Sequence, residues 1–139
     1  MSPRLREIMT PNPITVDAGA TAIEAAQAMR DHDVGDVVVT EKGAVCGILT
    51  DRDIAVRGVA GGHDPALTPV GQISSRELTT VDADADIEVA IQLMRDKAVR
   101  RLPVIDGNRT VGVVAIGDLA QSRDPKSALA DISAAAPNT

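Results

Sequence analysis

Residues 8–55 overlay residues 73–120 without a gap, at a constant offset of 65. Sixteen of the 48 aligned positions are identical: Ile8, Thr15, Val16, Asp17, Ala18, Ala20, Ala25, Gln27, Met29, Arg30, Asp31, Val34, Val39, Gly47, Asp53 and Ala55, each with its partner 65 further on. Elsewhere apolar residues replace apolar ones, as in Val37/Leu102, Ile48/Val113, Leu49/Val114 and Ile54/Leu119. A gapless repeat constrains the fold more than any local signal. Two copies are too few for a solenoid, and a unit of roughly 60 residues buries too little surface to be comfortable alone. The repeat therefore predicts two similar units packed on each other about a pseudo-two-fold axis.

The same signals recur in each copy. Pro11 and Pro13 stiffen the entry to an extended segment, Ile14-Thr15-Val16,. Thr21 followed by Glu24 reads as a capping box opening a helix with Ala22, Ala26 and Met29 on its apolar face,. In the second copy Asp86 is the cap, and Ile87, Ile91 and Met94 form the face,. A β-branched strand (Val34 to Thr40), a turn (Glu41-Lys42-Gly43) and a second strand (Ala44 to Leu49) follow, repeated as Val99 to Ile105, Asp106-Gly107-Asn108 and Thr110 to Val114,. Pro103 inside a strand predicts a sheet edge,. The expectation is an α+β fold, β-α-β-β-α in each copy, with two small sheets face to face and helices outside. Residues 1–60 form the first repeat, 61–69 a linker within the loop-forming stretch Gly58 to Pro65, 70–122 the second repeat, and 123–139 a C-terminal helix and tail,. In that tail Asp124-Pro125 reads as a helix start, with Leu129 and Ile132 as a narrow apolar stripe,.

Composition narrows the function. The chain has no Phe, Tyr or Trp, so its core is built from Val, Ile, Leu, Met and Ala, and a planar ligand would lie against aliphatic side chains and backbone,. Fourteen basic against twenty acidic residues give a formal charge of −6, which with the missing stacking platforms argues against nucleic acid as a partner,. The amino terminus lacks a secretory pattern and no stretch is long and apolar enough to span a bilayer, so a cytoplasmic protein with no membrane partner is expected,. Cys46, the single cysteine, reads as a buried structural thiol,. His32 and His63 read as solvated loop residues with no metal-ligand spacing around them,.

The stretches Ile8-Met9-Thr10-Pro11, Gly47 to Asp53, Val99 to Val104 and Gly112 to Asp118 carry a resemblance. A doubled unit ending in glycine, two aliphatics, Thr/Ser, two further residues and Asp resembles the CBS domain, over residues 4 to about 122. The resemblance implies a CBS pair, or Bateman module, similar to small stand-alone two-CBS proteins. It further implies clefts between the repeats that take an adenosine-containing ligand such as AMP, ADP or ATP, a disc-shaped homodimer, and a regulatory role without catalysis or a resident cofactor.

The site residues follow. Thr50 and Asp53 open a helix, where the carboxylate can accept hydrogen bonds from both ribose hydroxyls while the threonine hydroxyl points toward phosphate. Hydrogen bonds to a charged group are worth about 1.5–3 kcal/mol. The alternative is that both residues only cap the helix. Arg100 and Arg101 stand where the family places basic residues that reach ligand phosphates from the neighbouring repeat; otherwise they are a solvated pair,. Thr15, Val16, Thr80 and Val81 would offer backbone groups and an aliphatic wall to adenine, or serve as core. Asp118 is the second ribose acceptor, but Ala115 replaces the hydroxyl beside it, and Gly35 and Asp36 occupy the first copy's counterparts of Arg100 and Arg101. These departures favour one asymmetric site, a weakly charged ligand, or no ligand at all. A stress-related structural or interaction dimer with vestigial clefts is the competing reading. Asp51, Arg52 and Asp53 could hold a metal for phosphate hydrolysis, but without a nucleophile set or phosphate loop an enzyme is not expected,.

Overall fold

The computed structural model describes residues 3–75 and 78–123, so the expectations placed on Asp124-Pro125, Leu129 and Ile132 lie outside the described residues. In chain order the elements are α1 (Leu5–Ile8), β1 (Thr10–Pro11), β2 (Thr15–Asp17), α2 (Ala22–His32), β3 (Asp36–Glu41), β4 (Ala44–Thr50), α3 (Asp51–Asp53) running into a π-helical segment (Ile54–Val59), α4 (Val70–Ile73), β5 (Val81–Asp82), α5 (Ile87–Lys97), β6 (Arg101–Asp106), β7 (Arg109–Ala115) and α6 (Ile116–Arg123). The α+β class and the β-α-β-β-α order hold in both copies. The first copy's sheet runs β2-β3-β4 and the second copy's β1-β7-β6-β5, each with a parallel pair beside an antiparallel hairpin. A register shift recurs at Val39/Thr40 and Val104/Ile105, positions 65 apart.

The compact units do not coincide with the sequence segments 1–60 and 70–122. One unit spans Ile14–Leu78; the other joins Met1–Pro13 to Thr79–Thr139. The segment leading into each copy is therefore built into the other copy's unit. In the second unit, Leu5 N and Arg6 N donate to Ala85 O and Ala83 O at 3.0 and 2.9 Å, and Thr10 pairs with Val113. In the first unit the equivalents 65 residues on, Val70 N and Gly71 N, donate to Ala20 O and Ala18 O at 2.8 and 3.0 Å, and Ser75 bridges Ile48. This exchange explains the motif glycines. A Cβ on Gly47 would lie 2.6 Å from Ser75 O, and one on Gly112 would lie 2.5 Å from Met9 Sδ and 2.7 Å from Thr10 O. Only glycine lets the strap cross the strand that closely. Arg6 fastens the second unit's strap further, through Asp106 (2.9 Å) and Asp84 (3.3 Å); the Asp106 hydrogen bond, then Asp84, hold its guanidinium above the usual arginine range.

Several expectations are corrected. The first hairpin strands begin at Asp36 and Arg101 rather than Val34 and Val99, because a left-handed residue at Asp33 (φ 55°) or Ala98 (φ 53°) ends each helix and the next residues turn into the sheet. Pro103 is not at an edge: β6 lies between β7 and β5. In the first unit Val38 N donates to Ile14 O at 2.9 Å, and Pro103, 65 residues after Val38, has no such donor. Accordingly β2 pairs three residues with β3, starting at Thr15↔Val38, whereas β5 pairs two with β6,. The proline is accommodated by shortening the neighbouring strand. The stretch between the two repeats is tied to the first one. Gly58 is buried in the π-helical segment, Thr68 is buried, and Thr68 O and Pro65 O accept from Ala22 N and Ile23 N, satisfying donors at the open end of α2,.

Both long helices are capped by the residues the sequence names, Glu24 N donating to Thr21 Oγ1 (3.2 Å) and Glu88 N to Asp86 Oδ1 (2.9 Å), but the reciprocal half of the box expected at Thr21 does not form, because the Glu24 carboxylate accepts from the Thr21 hydroxyl (3.2 Å). Their buried faces are Ala22, Ala25 and Met29, and Ile87, Ala90 and Met94; Ala26 is exposed and Ile91 half-buried, so the stripe runs i, i+3, i+7,. Small alanines at 25 and 90 let each helix lie close on its sheet. Val37, Val39 and Leu49 complete one core, and Leu102, Val104, Val114 and Leu5 the other. Cys46 is half-buried against the first core rather than within it, and His32 closes α2 rather than following it.

Candidate functional site

In each unit the candidate residues gather where the antiparallel hairpin meets the following helix. In the first unit Thr50 ends β4 opposite Asp36, and Asp51 N donates to Gly35 O at 3.0 Å, closing the corner. There Thr50 and Asp53 form a reciprocal capping box: Asp53 N donates to Thr50 Oγ1 at 3.1 Å and Thr50 N donates to Asp53 Oδ2 at 2.9 Å,. The cap fixes both side chains while leaving Asp53 Oδ1 outside the box. Arg57 reaches back to that oxygen, its Nε 3.7 Å away, and its Nη1 donates to Ser74 O at 3.4 Å. Thr15, exposed, and Val16, half-buried against the core, lie on the adjacent strand β2, Thr15 opposite Val38.

The second unit repeats the corner with different chemistry. Arg101 pairs with Ala115, and Ile116 N donates to Arg100 O at 2.9 Å, so both arginines flank the start of α6, and both are exposed. Ala115 N donates to Asp118 Oδ2 at 2.8 Å, which preserves half of the box; the hydroxyl half is missing because residue 115 is alanine. Thr80 is half-buried. Val81, only 4% exposed, belongs to the core, so backbone rather than side chain is what it can offer a ligand. A groove of about 560 Å³ runs beside Arg100 between α5 and α6, floored by Ile91, Met94, Val99 and Leu119.

The candidate residues thus fall into two sets, Thr15, Val16, Thr50 and Asp53 in the first unit and Thr80, Val81, Arg100, Arg101 and Asp118 in the second. Sequence reasoning overlooked Arg57, although its spacing from Asp53 is that of an opposite-charge i, i+4 pair,. Among the described residues no group of three His, Cys, Asp or Glu side chains is placed to hold a metal, and no helix is long and apolar enough to cross a membrane.

Comparison with known proteins matches the CBS domain model to residues 5–58 and again to residues 70–124. The chain is 43% identical over 133 residues to the CBS domain-containing protein YhcV of Bacillus subtilis, covering 93% of this chain and 94% of that protein. Its fold superposes on the crystal structure of Hypoxic Response Protein I with two coordinated zinc ions at a TM-score of 0.77, with 37% identity, covering 86% of this chain and 98% of that one. It also superposes on the CBS domain pair of protein MJ0100 in complex with methylthioadenosine and S-adenosyl-L-methionine at a TM-score of 0.80, with 23% identity and 91% and 100% coverage. With both repeats matched and nearly the whole chain covered, the protein belongs to the CBS-domain family as a tandem pair.

Proposed function

We propose that the protein is a regulatory module that binds an adenosine-containing ligand, such as AMP, ADP or ATP, at the Thr50–Asp53 corner and performs no chemistry on it. The observation that carries this reading is the capping box itself. It holds a carboxylate, 15% exposed, with Oδ2 bonded to backbone and Oδ1 outside the box, as acceptance from a vicinal diol requires,. Thr50 Oγ1 accepts from Asp53 N and keeps its own proton to donate,. The MJ0100 pair, similar in fold alone, holds adenosine compounds. In this reading the protein is cytoplasmic, works as a homodimer, and signals through a change in its own shape or its hold on a partner.

One observation favours a second reading, a structural or interaction dimer with vestigial sites. The box already gives Thr50 and Asp53 a structural role, as reciprocal helix caps, without any ligand. Dye-monitored thermal unfolding with AMP, ADP, ATP and adenosine separates the two, because a ligand at a hundred times its dissociation constant adds about 2.7 kcal/mol of stability. Stabilisation by at least one of these supports the sensor; an unmoved transition across the panel supports the structural dimer.

A further inference from the structure

We infer that Arg57 is the positioning residue for Asp53 in the first-copy corner. The inference rests on the adenosine-ligand reading and deepens it. A single hydrogen bond to one oxygen leaves the carboxylate plane room to tilt about Cβ–Cγ, which moves both oxygens together, and acceptance from two neighbouring hydroxyls needs that plane held in one orientation. Thr50 N fixes Oδ2 at 2.9 Å, and Arg57 Nε stands 3.7 Å from Oδ1.

Arg57 is itself held. Its Nη1 donates to Ser74 O at 3.4 Å, on the strap that crosses β4 beside Gly47. Its backbone lies in the π-helical segment Ile54–Val59, closed by Ala60 N donating to Ala55 O at 2.9 Å. The wider turn carries one extra residue per hydrogen-bonded ring and swings Arg57 relative to Asp53 differently from a plain α-helix. The Arg57 side chain is 54% exposed against 15% for Asp53, so the carboxylate is the more enclosed partner of the pair.

The second copy offers a contrast within the same chain. Ser122 stands 65 residues after Arg57 and is too short to place a guanidinium, whereas the inner bond, Ala115 N to Asp118 Oδ2 at 2.8 Å, is retained. The hydroxyl of Thr50 and the guanidinium of Arg57 are thus not repeated at the equivalent positions of the second copy, Ala115 and Ser122.

The test uses the full chain with Arg57→Ser, which copies the second repeat, and Arg57→Lys. Titration calorimetry with AMP and with adenosine should show Arg57→Ser weakening both by about the same factor, on the order of tenfold, with partial recovery in Arg57→Lys. Equal losses identify action through the ribose acceptor. Unchanged affinities would overturn the inference, as would a loss for AMP with adenosine untouched, which would mean a direct phosphate contact. An amide ¹⁵N NMR spectrum without nucleotide gives an independent readout: Arg57→Ser should shift the Thr50 amide and leave the Ala115 amide in place. If neither compound binds the unsubstituted protein, the adenosine reading falls. The amide then decides the positioning role alone, a shifted Thr50 resonance supporting it and an unmoved one overturning it.

Discussion

Replacing Gly47 with alanine drives a methyl group into the strap that crosses β4. The new Cβ would stand 2.6 Å from Ser75 O, about 0.9 Å inside the optimal separation of non-bonded heavy atoms. The obstacle is backbone, so no rotamer change relieves it. Either the strap lifts, endangering the 3.2 Å bond from Ser75 N to Ile48 O, or β4 bends away from β3. Overpacking costs about 1–3 kcal/mol and a lost hydrogen bond about 1 kcal/mol more. A total of about 2–4 kcal/mol is a large share of a stability of about 5–15 kcal/mol. For a chain of this length it should lower Tm by about 6–15 °C. The control is Gly43→Ala, where φ is +81° but nothing lies within 4 Å; that change carries only the left-handed backbone cost, about 1 kcal/mol. Far-UV circular dichroism melts suit a chain without aromatic residues. If Gly47→Ala melts within a degree or two of the unsubstituted protein, or above Gly43→Ala, the strap does not cross where described.

Other consequences are as direct. Ala98→Gly should raise stability by about 0.5–1 kcal/mol in denaturant titration, because alanine at φ 53° bears a strain that glycine lacks, partly offset by glycine's freer unfolded chain,. Ala115→Thr should supply the missing hydroxyl for Asp118 N and stabilise by about 1 kcal/mol, whereas Thr50→Ala should cost about the same; a melt of each decides it,. Pro103→Val restores the donor that Val38 provides in the first copy, so a protected amide should appear at residue 103 in hydrogen exchange,. If Arg100 and Arg101 serve phosphate, alanine at both should weaken ATP by about a hundredfold and leave adenosine within about twofold.

The repeat made the element order and the helix caps readable, since both are written in local chemistry that occurs twice. Thr21 and Asp86 cap where their side chains predict. The exchange of leading segments was not readable, because Leu5 and Val70 look alike whichever copy they pack against; only the glycines at 47 and 112 hint that backbone passes nearby, and not whose. Pro103 misled because edge placement is one of two ways to dispose of a missing donor, and shortening β5 is the other,. At the site, Thr50 and Asp53 were legible as a pair in both roles considered, cap and acceptor, since one geometry serves both. Arg57 was hidden inside a stretch whose sequence gives no sign of a π-helical turn.

The asymmetry of the two corners is tested most directly by titration calorimetry of Asp53→Ala and Asp118→Ala against whichever adenine nucleotide stabilises the unsubstituted protein. Loss of most of the affinity in Asp53→Ala, with a much smaller loss in Asp118→Ala, is the predicted result. Equal losses, or a greater loss at Asp118, would contradict a site centred on the first copy.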